Sequence, residues 1–481
     1  MKRFAALTIA ASLALASCQA DAAERTSQPT AAHAQERPNI VFVLTDDLAA
    51  NLVNYMPALQ GMRRRGTTFG DYFVTDSLCC PSRSTTFTGE FPHNTGVFTN
   101  GGSDGGYAAF NANGNQGHTF ATALQAAGYR TGMMGKYLNG YQPQDPVPPG
   151  WSEWDVAGNG YPEFDYSLNE NGSVVTYGHQ PDDYLTDVLN RKGQSFIGQS
   201  VKAGKPFMLE LATFAPHGPF TPAPRDANKF PGLKAPRGPA FNEADMSDKP
   251  AWIKDHPRLT AEQINKIDTS FRKRAQAVQA VDKMLGDIQA ALKANGVARD
   301  TYVVFGSDNG FHMGEHRLMP GKMTAYDTDV NVPLVVTGPG VAAGHQATQL
   351  AQNTDLCPTF ESLGGVPVPD TVDGRSLKPY FTAGAKPSRD AVLIEHHGPD
   401  HQAGDPDLPT KASGNPPSYA AVRTGHELYV EYADGEREYY DVAKDPYELH
   451  NAISGVPAAR LSRLTATLHR LEKCEGEECR V

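Results

Sequence analysis

Four short apolar runs in this chain each stop at a polar residue, and that repetition limits the fold sharply. Asn39-Ile-Val-Phe-Val-Leu-Thr45 runs into Asp46 and Asp47, and Lys205 to Thr213 precedes His217. Thr301 to Gly306 precedes Asp308 and Asn309, and a weaker run, Thr131 to Met134, precedes Lys136. Runs of this length, rich in β-branched and aromatic residues, read as buried strands. Helical patterns lie between them, including Thr119 to Ala127 and Arg274 to Leu292. Alternating strands and helices predict an α/β fold whose large mixed, mostly parallel sheet is flanked by helices. Ligands of such sheets sit at the carboxyl ends of the strands. The carboxylates, the imidazole and the amine are therefore expected on one rim.

After about residue 385 the pattern changes. Ala391 to Glu395 reads as a strand, and Glu427–Tyr432 and Glu436–Asp441 flank Asp434-Gly435, a hairpin turn signal. Leu461, Leu464, Leu468 and Leu471 recur at helical spacing. The expected organisation is a catalytic domain over 38–385 and a smaller C-terminal subdomain over 386–481, an antiparallel sheet plus a helix. Gly398 to Pro417 is rich in Pro, Gly and Asp. It reads as a loop, of the kind that borders substrate sites and helps set specificity.

Residues 1–22 read as an export signal: Lys2 and Arg3, then an apolar stretch from Phe4 to Ala16, then small residues. Leu15-Ala16-Ser17-Cys18 resembles a bacterial lipobox, with Cys18 as the acylated residue; cleavage near Ala20-Asp21-Ala22 is the alternative. Residues 23–37, rich in Ala, Gln, Ser and Thr, read as a flexible tether. No later apolar run approaches membrane-spanning length. The expected location is the periplasm or the outer membrane of a bacterium, with a lipid as the anchor. The net charge of -11 argues against nucleic acid as a partner but not against a small anion met by a local cluster of Lys and Arg. Export permits disulfides, and Cys474 and Cys479 are spaced to close a small loop. Cys357 reads as a buried small hydrophobe.

The adjacent pair Cys79-Cys80 opens Cys-Cys-Pro-Ser-Arg83-Ser-Thr-Thr-Phe-Thr88-Gly89. Here the chain resembles the type I sulfatases, of alkaline phosphatase-like fold, whose signature is Cys-x-Pro-Ser-Arg followed by a Thr-Gly pair. The resemblance implies that a separate maturation enzyme oxidises Cys79 to formylglycine, whose hydrated aldehyde supplies the nucleophilic oxygen. Cys80 occupies the variable position. Pro81 suits the first turn of a helix, and a helix N-terminus offers free N–H groups to an anion.

Asp46-Asp47 alone could cap a helix, and Asp308-Asn309-Gly310 alone could be a turn. Together, at the ends of two strands, they supply the hard oxygen ligands that calcium prefers. The resemblance implies that Asp46, Asp47, Asp308 and Asn309 bind one Ca2+ together with residue 79; magnesium is the runner-up. It also implies that Arg83, Lys136, His217 and Lys322 contact the sulfate. Charge would then be drawn off the sulfate oxygens, Asp308 would activate the nucleophile, and His217 or Lys322 would protonate the leaving alcohol. One motif departs from the pattern. Many arylsulfatases have Gly-Lys-Trp-His where this chain has Gly135-Lys136-Tyr137-Leu138. Asn139 follows, as in the glucosamine-6-sulfatase branch, and Asn cannot act as a base. His312 and His316 are nearby in sequence and are candidates, with Asn139, for lining the substrate pocket.

The predicted function is hydrolysis of a sulfate ester, on a sulfated carbohydrate or an aryl sulfate. Two rivals remain at this stage. One is a phosphonate monoester or phosphodiester hydrolase, which shares the Cys-x-Pro-x-Arg nucleophile. The other is a non-catalytic glycan-binding lipoprotein, should Cys79 stay unmodified.

Overall fold

The computed structural model describes residues 37–480, with Met1. The signal and Cys18 lipidation expected in residues 1–22 and the tether expected over 23–37 lie, apart from Met1 and Arg37, outside the described residues. The main sheet has ten strands. In order across the sheet they are His345–Ala347, Thr67–Phe69, Leu334–Thr337, Thr301–Ser307, Asn39–Thr45, Phe207–Ala212, Arg130–Lys136, Glu153–Ala157, Ser167–Glu170 and Ser173–Thr176. The five strands from Thr301–Ser307 to Glu153–Ala157 are parallel neighbours. Leu334–Thr337 on one side and Ser167–Glu170 on the other pair antiparallel with this block. The sheet is thus mixed and mostly parallel at its centre, as predicted.

Strand Asn39–Thr45 is buried along its whole length because both faces are covered. Ile40, Phe42 and Leu44 join one core with Phe87, Phe120 and Phe360. Val41 and Val43 join a second core on the opposite face with Val278, Val281 and Leu285 of helix Ala261–Ala294. Alternating side chains go to opposite faces, so a strand sandwiched by helices must be apolar at every position. The long helix begins well before the expected Arg274. Thr260 caps it, accepting from the Gln263 backbone, while the Gln263 side chain accepts from the Thr260 backbone. That reciprocal box is readable in Thr-x-x-Gln and fixes the start.

The four-stranded antiparallel sheet runs in the order Ala391–His396, Tyr419–Thr424, Glu427–Tyr432, Arg437–Asp441, and helix Ala458–Leu471 packs on it. Strand Tyr419–Thr424 was not foreseen. Gly435 takes a left-handed conformation (φ 91°) at the hairpin turn, which its missing side chain allows. One face of this small sheet shares the core of the large one: Val392, Ile394, Ala421 and Val430 cluster with Phe42 and Tyr326. The residues from Arg37 onward accordingly form one compact unit. Cys474 and Cys479 are joined in a disulfide, and Cys357 is buried and free. Among the described residues no helix is long and apolar enough to cross a membrane.

Candidate active site

The rim at the carboxyl ends of the parallel strands gathers the reactive side chains. The Asp308 N–H donates to the Thr45 carbonyl at 3.1 Å, which locks the ends of two neighbouring strands together. Asp46 and Asp47 follow Thr45, and Asn309 follows Asp308, so all four arrive at one place. Asp47 sits at φ 63°, a strained region that Asp tolerates better than most residues. Strand Arg130–Lys136 brings up Lys136. Gly135 precedes it at φ 105°, where a Cβ would lie 1.9 Å from the Ala212 carbonyl. Only glycine lets the strand approach so closely there.

Cys79 is the first residue of helix Cys79–Thr88, two positions earlier than Pro81 alone suggests. Leu78, in extended conformation, supplies no side-chain cap, and Asn100 fills that role from a distance: its Oδ1 accepts the Cys80 N–H at 3.0 Å. Gly89 closes the helix in a left-handed conformation, with its N–H on the Thr85 carbonyl. The Thr-Gly pair of the motif is therefore a C-cap. Cys79 is fully buried at the helix N-terminus. Its Sγ lies 3.2 Å from Asp46 Oδ1 and 2.9 Å from Lys322 Nζ. Burial first, and the carboxylates of Asp407 and Asp46 second, push the thiol well above its ordinary value. As a thiol it is neutral and a poor nucleophile.

The charges interlock. Lys136 Nζ donates to Asp46 Oδ2 at 2.6 Å, Lys322 Nζ to Asp47 Oδ1 at 2.7 Å, and Arg83 Nε to Asp308 Oδ2 at 2.7 Å. Burial would raise the Asp46 pKa, but Lys136, His217, Arg83 and Lys322 outweigh it and hold it below the usual range. Asp308 is pushed up to about 6 because burial exceeds the help from Arg83. His217 donates from Nδ1 to the Gly218 carbonyl and from Nε2 to Asp407 Oδ1, both at 2.7 Å. Both nitrogens then carry protons. Burial opposes that charge, but Asp47, Asp46 and Asp407 raise the imidazole to about 9.

The donor set fits a hard cation. Carboxylate oxygens of Asp46 and Asp47 lie within 4.8 Å of each other and of Cys79 Sγ; the His217 ring lies in the same cluster, but with both nitrogens protonated it is no ligand. Asn309 Oδ1 is buried with no partner, while its amide donates to Asp47 Oδ1 at 2.7 Å. An orphaned carbonyl oxygen among carboxylates is costly unless a cation takes it. Asp308 is turned to Arg83 and to the Asp47 and Asn309 N–H groups. Oδ1 accepts both backbone N–H groups and Oδ2 accepts Arg83 Nε, so the lone pair left for a cation is on Oδ2.

Asn139 lines a cavity of about 400 Å³ beside Lys136, with its Oδ1 buried and unpartnered. His312 and His316 are placed elsewhere. His312 bridges Asp329 and the Ser413 carbonyl, and His316 binds Glu243 at 2.6 Å; both are buried, and neither lines the cavities beside Cys79. The Gly398–Pro417 loop does border the site, as its composition suggests, but sequence reasoning did not single out Asp407 within it, and it missed Asn100, whose local pattern carries no signal. It also missed Arg274, a buried guanidinium that donates to the Asp47 carbonyl.

Comparison with known proteins decides the family. The profile of the family described as "Sulfatase" matches residues 38–366, and that of "N-sulphoglucosamine sulphohydrolase, C-terminal" matches 314–474. The chain belongs to the sulfatase family. The N-acetylglucosamine-6-sulfatase of the goat, Capra hircus, is 33% identical over 94% of this sulfatase-family chain and 86% of its own length. A solved structure, BT4656 in complex with its substrate D-glucosamine-2-N,6-O-disulfate, superposes with a TM-score of 0.73 at 24% identity, covering 91% of this chain and 98% of that one. The phosphonate monoester hydrolase of Agrobacterium radiobacter shares the fold as well, with a TM-score of 0.69 at 22% identity over 91% of this chain and 96% of that one.

Proposed function

We propose that this sulfatase-family chain hydrolyses a sulfate ester of a sulfated carbohydrate, releasing alcohol and inorganic sulfate. One observation carries the reading: the Cys79 side chain lies against Asp46 and Lys322 within a single knot of carboxylates and cations. Asp46, Asp47, Asp308 and Asn309 would hold one calcium, which when bound draws charge off the sulfate oxygens. Oxidised to formylglycine by a maturation enzyme, residue 79 would supply the nucleophilic oxygen. Lys136, Lys322 and Arg83 hold the anion and face the charge that develops on it. His217, protonated on both nitrogens, is the proton donor for the leaving alcohol, with Lys322 as the alternative. The polar cavity at Asn139 and Gln142 suits sugar hydroxyls, and the glucosamine disulfate bound by BT4656 supports a sulfated amino sugar as the ligand class. Export fits the Cys474–Cys479 disulfide, which persists in oxidising compartments.

The test is desulfation of a panel of sulfated glycans and an aryl sulfate by the matured, calcium-loaded protein. Cys79→Ala serves as control, and intact mass reports the state of residue 79. We expect the peptide around residue 79 to be lighter than unmodified Cys, and Cys79→Ala to lose at least about a thousandfold in kcat. Turnover surviving in that variant would sink the nucleophile. Faster turnover of phosphonate or phosphate esters than of sulfate esters would move the chain to the rival hydrolase class.

A further inference from the structure

The Gly398–Pro417 loop carries a carboxylate into the centre of the site. Asp407 Oδ1 accepts from His217 Nε2 at 2.7 Å and from Lys322 Nζ at 2.9 Å. Its Oδ2 accepts from Asn100 Nδ2 at 2.8 Å, and Asn100 also accepts the Cys80 N–H. The Asp407 side chain is only 4% exposed. An anion belonging to the protein thus holds two of the groups that a sulfate ester needs, and it is tied through Asn100 to the N-terminus of the Cys79 helix. A carboxylate and a sulfate carry like charge, and in a buried site they cannot both occupy these partners.

Open space flanks the loop tip on both sides. Residues 405–408 stand between two cavities. One, of about 400 Å³, is lined by Lys136, Asn139, Tyr161 and Asp405. The other, of about 520 Å³, is lined by His217, Phe220, Phe311, Lys322 and Leu408. Pro406 lines both. The base of the loop is fixed independently of the tip. The Met319 N–H donates to the Ala412 carbonyl, His312 bonds to the Ser413 carbonyl, and Asn415 bonds to Asp400. The tip reaches the anion site chiefly through Asp407, with Asn100 holding Asp405 at 3.2 Å as a second tie.

We propose that Asp407 is an anion latch: in the substrate-free protein it occupies the sulfate position, and an incoming sulfate ester takes over His217 and Lys322 and releases the 405–408 tip. The two cavities then join into one cleft above residue 79. This inference rests on the sulfate-ester reading of the site. A closed latch weakens apparent substrate affinity by the fraction of molecules that are open. It also excludes anions that cannot take over both cations.

The experiment compares wild type with Asp407→Asn, both matured and calcium-loaded. Calorimetric binding of inorganic sulfate is the readout independent of turnover. Steady-state KM on an aryl sulfate is measured beside it. Hydrogen exchange of the 398–417 segment in the wild type, with and without sulfate, needs no variant and guards against a folding defect. We expect Asp407→Asn to bind sulfate about tenfold tighter with a lower KM, and sulfate to accelerate exchange at 403–409 in the wild type. Equal or weaker sulfate binding by Asp407→Asn, or exchange that is unchanged or slowed by sulfate, overturns the latch. Overturned with wild-type turnover intact, it falls alone. A wild type that neither binds sulfate nor turns over sulfate esters takes the functional reading down with it.

Discussion

Two buried clusters of charge in this protein are built on opposite plans. In the C-terminal sheet, Glu438 is fully buried and every oxygen is occupied. Oε1 accepts from Tyr326 and Tyr440 at 2.8 and 2.6 Å, and Oε2 accepts from Tyr432 at 2.8 Å. Lys249 donates to the Tyr440 hydroxyl at 3.1 Å. On the rim of the large sheet, carboxylates and cations are packed more densely, yet Asn309 Oδ1 and Arg83 Nη2 lack partners. A closed network has nothing left to bind, and it ties the small sheet to the segments that carry Tyr326 and Lys249. A crowded and incompletely satisfied one is poised for a ligand, because a missing cation or anion would complete it.

Three substitutions test that contrast. Lys322→Ala removes an amine that touches Asp47, Cys79 and Asp407 together, and it should lower kcat/KM on an aryl sulfate by about a hundredfold or more. A fall of less than about threefold would mean that the rim does not use its charges as proposed. Glu210→Gln probes whether an orphaned atom alone signals function. Glu210 lies mid-strand beneath the rim with both oxygens unpartnered, and burial, opposed only by Arg83, pushes it up to about 8 from 4.5. Between those values the unfolded chain has lost a proton that the folded chain keeps. Wild-type stability should therefore fall as pH rises through that window and level off above about 8. The Gln variant should lose this slope and be more stable at high pH, by on the order of 3 kcal/mol. Parallel melting curves of the two proteins from pH 4.5 to 9 would refute it. Glu438→Gln should have the smallest effect, a loss of about 1–2 kcal/mol in denaturant unfolding from weakened tyrosine bonds. Turnover should stay at the wild-type level, and a fall in kcat with unchanged stability would erase the distinction between the two clusters.

Legibility followed the distance over which each feature is set. The strand Asn39–Thr45 and the acids after it were readable because burial on both faces demands an unbroken apolar run and the rim begins where that run stops. The Cys79 helix was readable from Pro81 and Gly89, although its start was placed late because the Asn100 cap comes from another segment. Strand Tyr419–Thr424 was missed: Arg423 interrupts its apolar pattern, and the bond from Arg423 to Asp327 that settles it there is 96 residues away in sequence. His312 and His316 share a motif with the site, yet their rings turn to Asp329 and Glu243 instead.

Local chemistry determined a good deal on its own: alternation of strand and helix, caps and turns, and a short reactive motif at a helix start. These are written in neighbouring residues, where propensity and periodicity act. Tertiary packing alone decided which charges meet. Lys322 reaches Cys79 across 243 residues, and Asp407 reaches His217 across 190. Loop residues carry no periodic signal, so their partners are fixed only when the surrounding layers close and every buried charge must find an opposite.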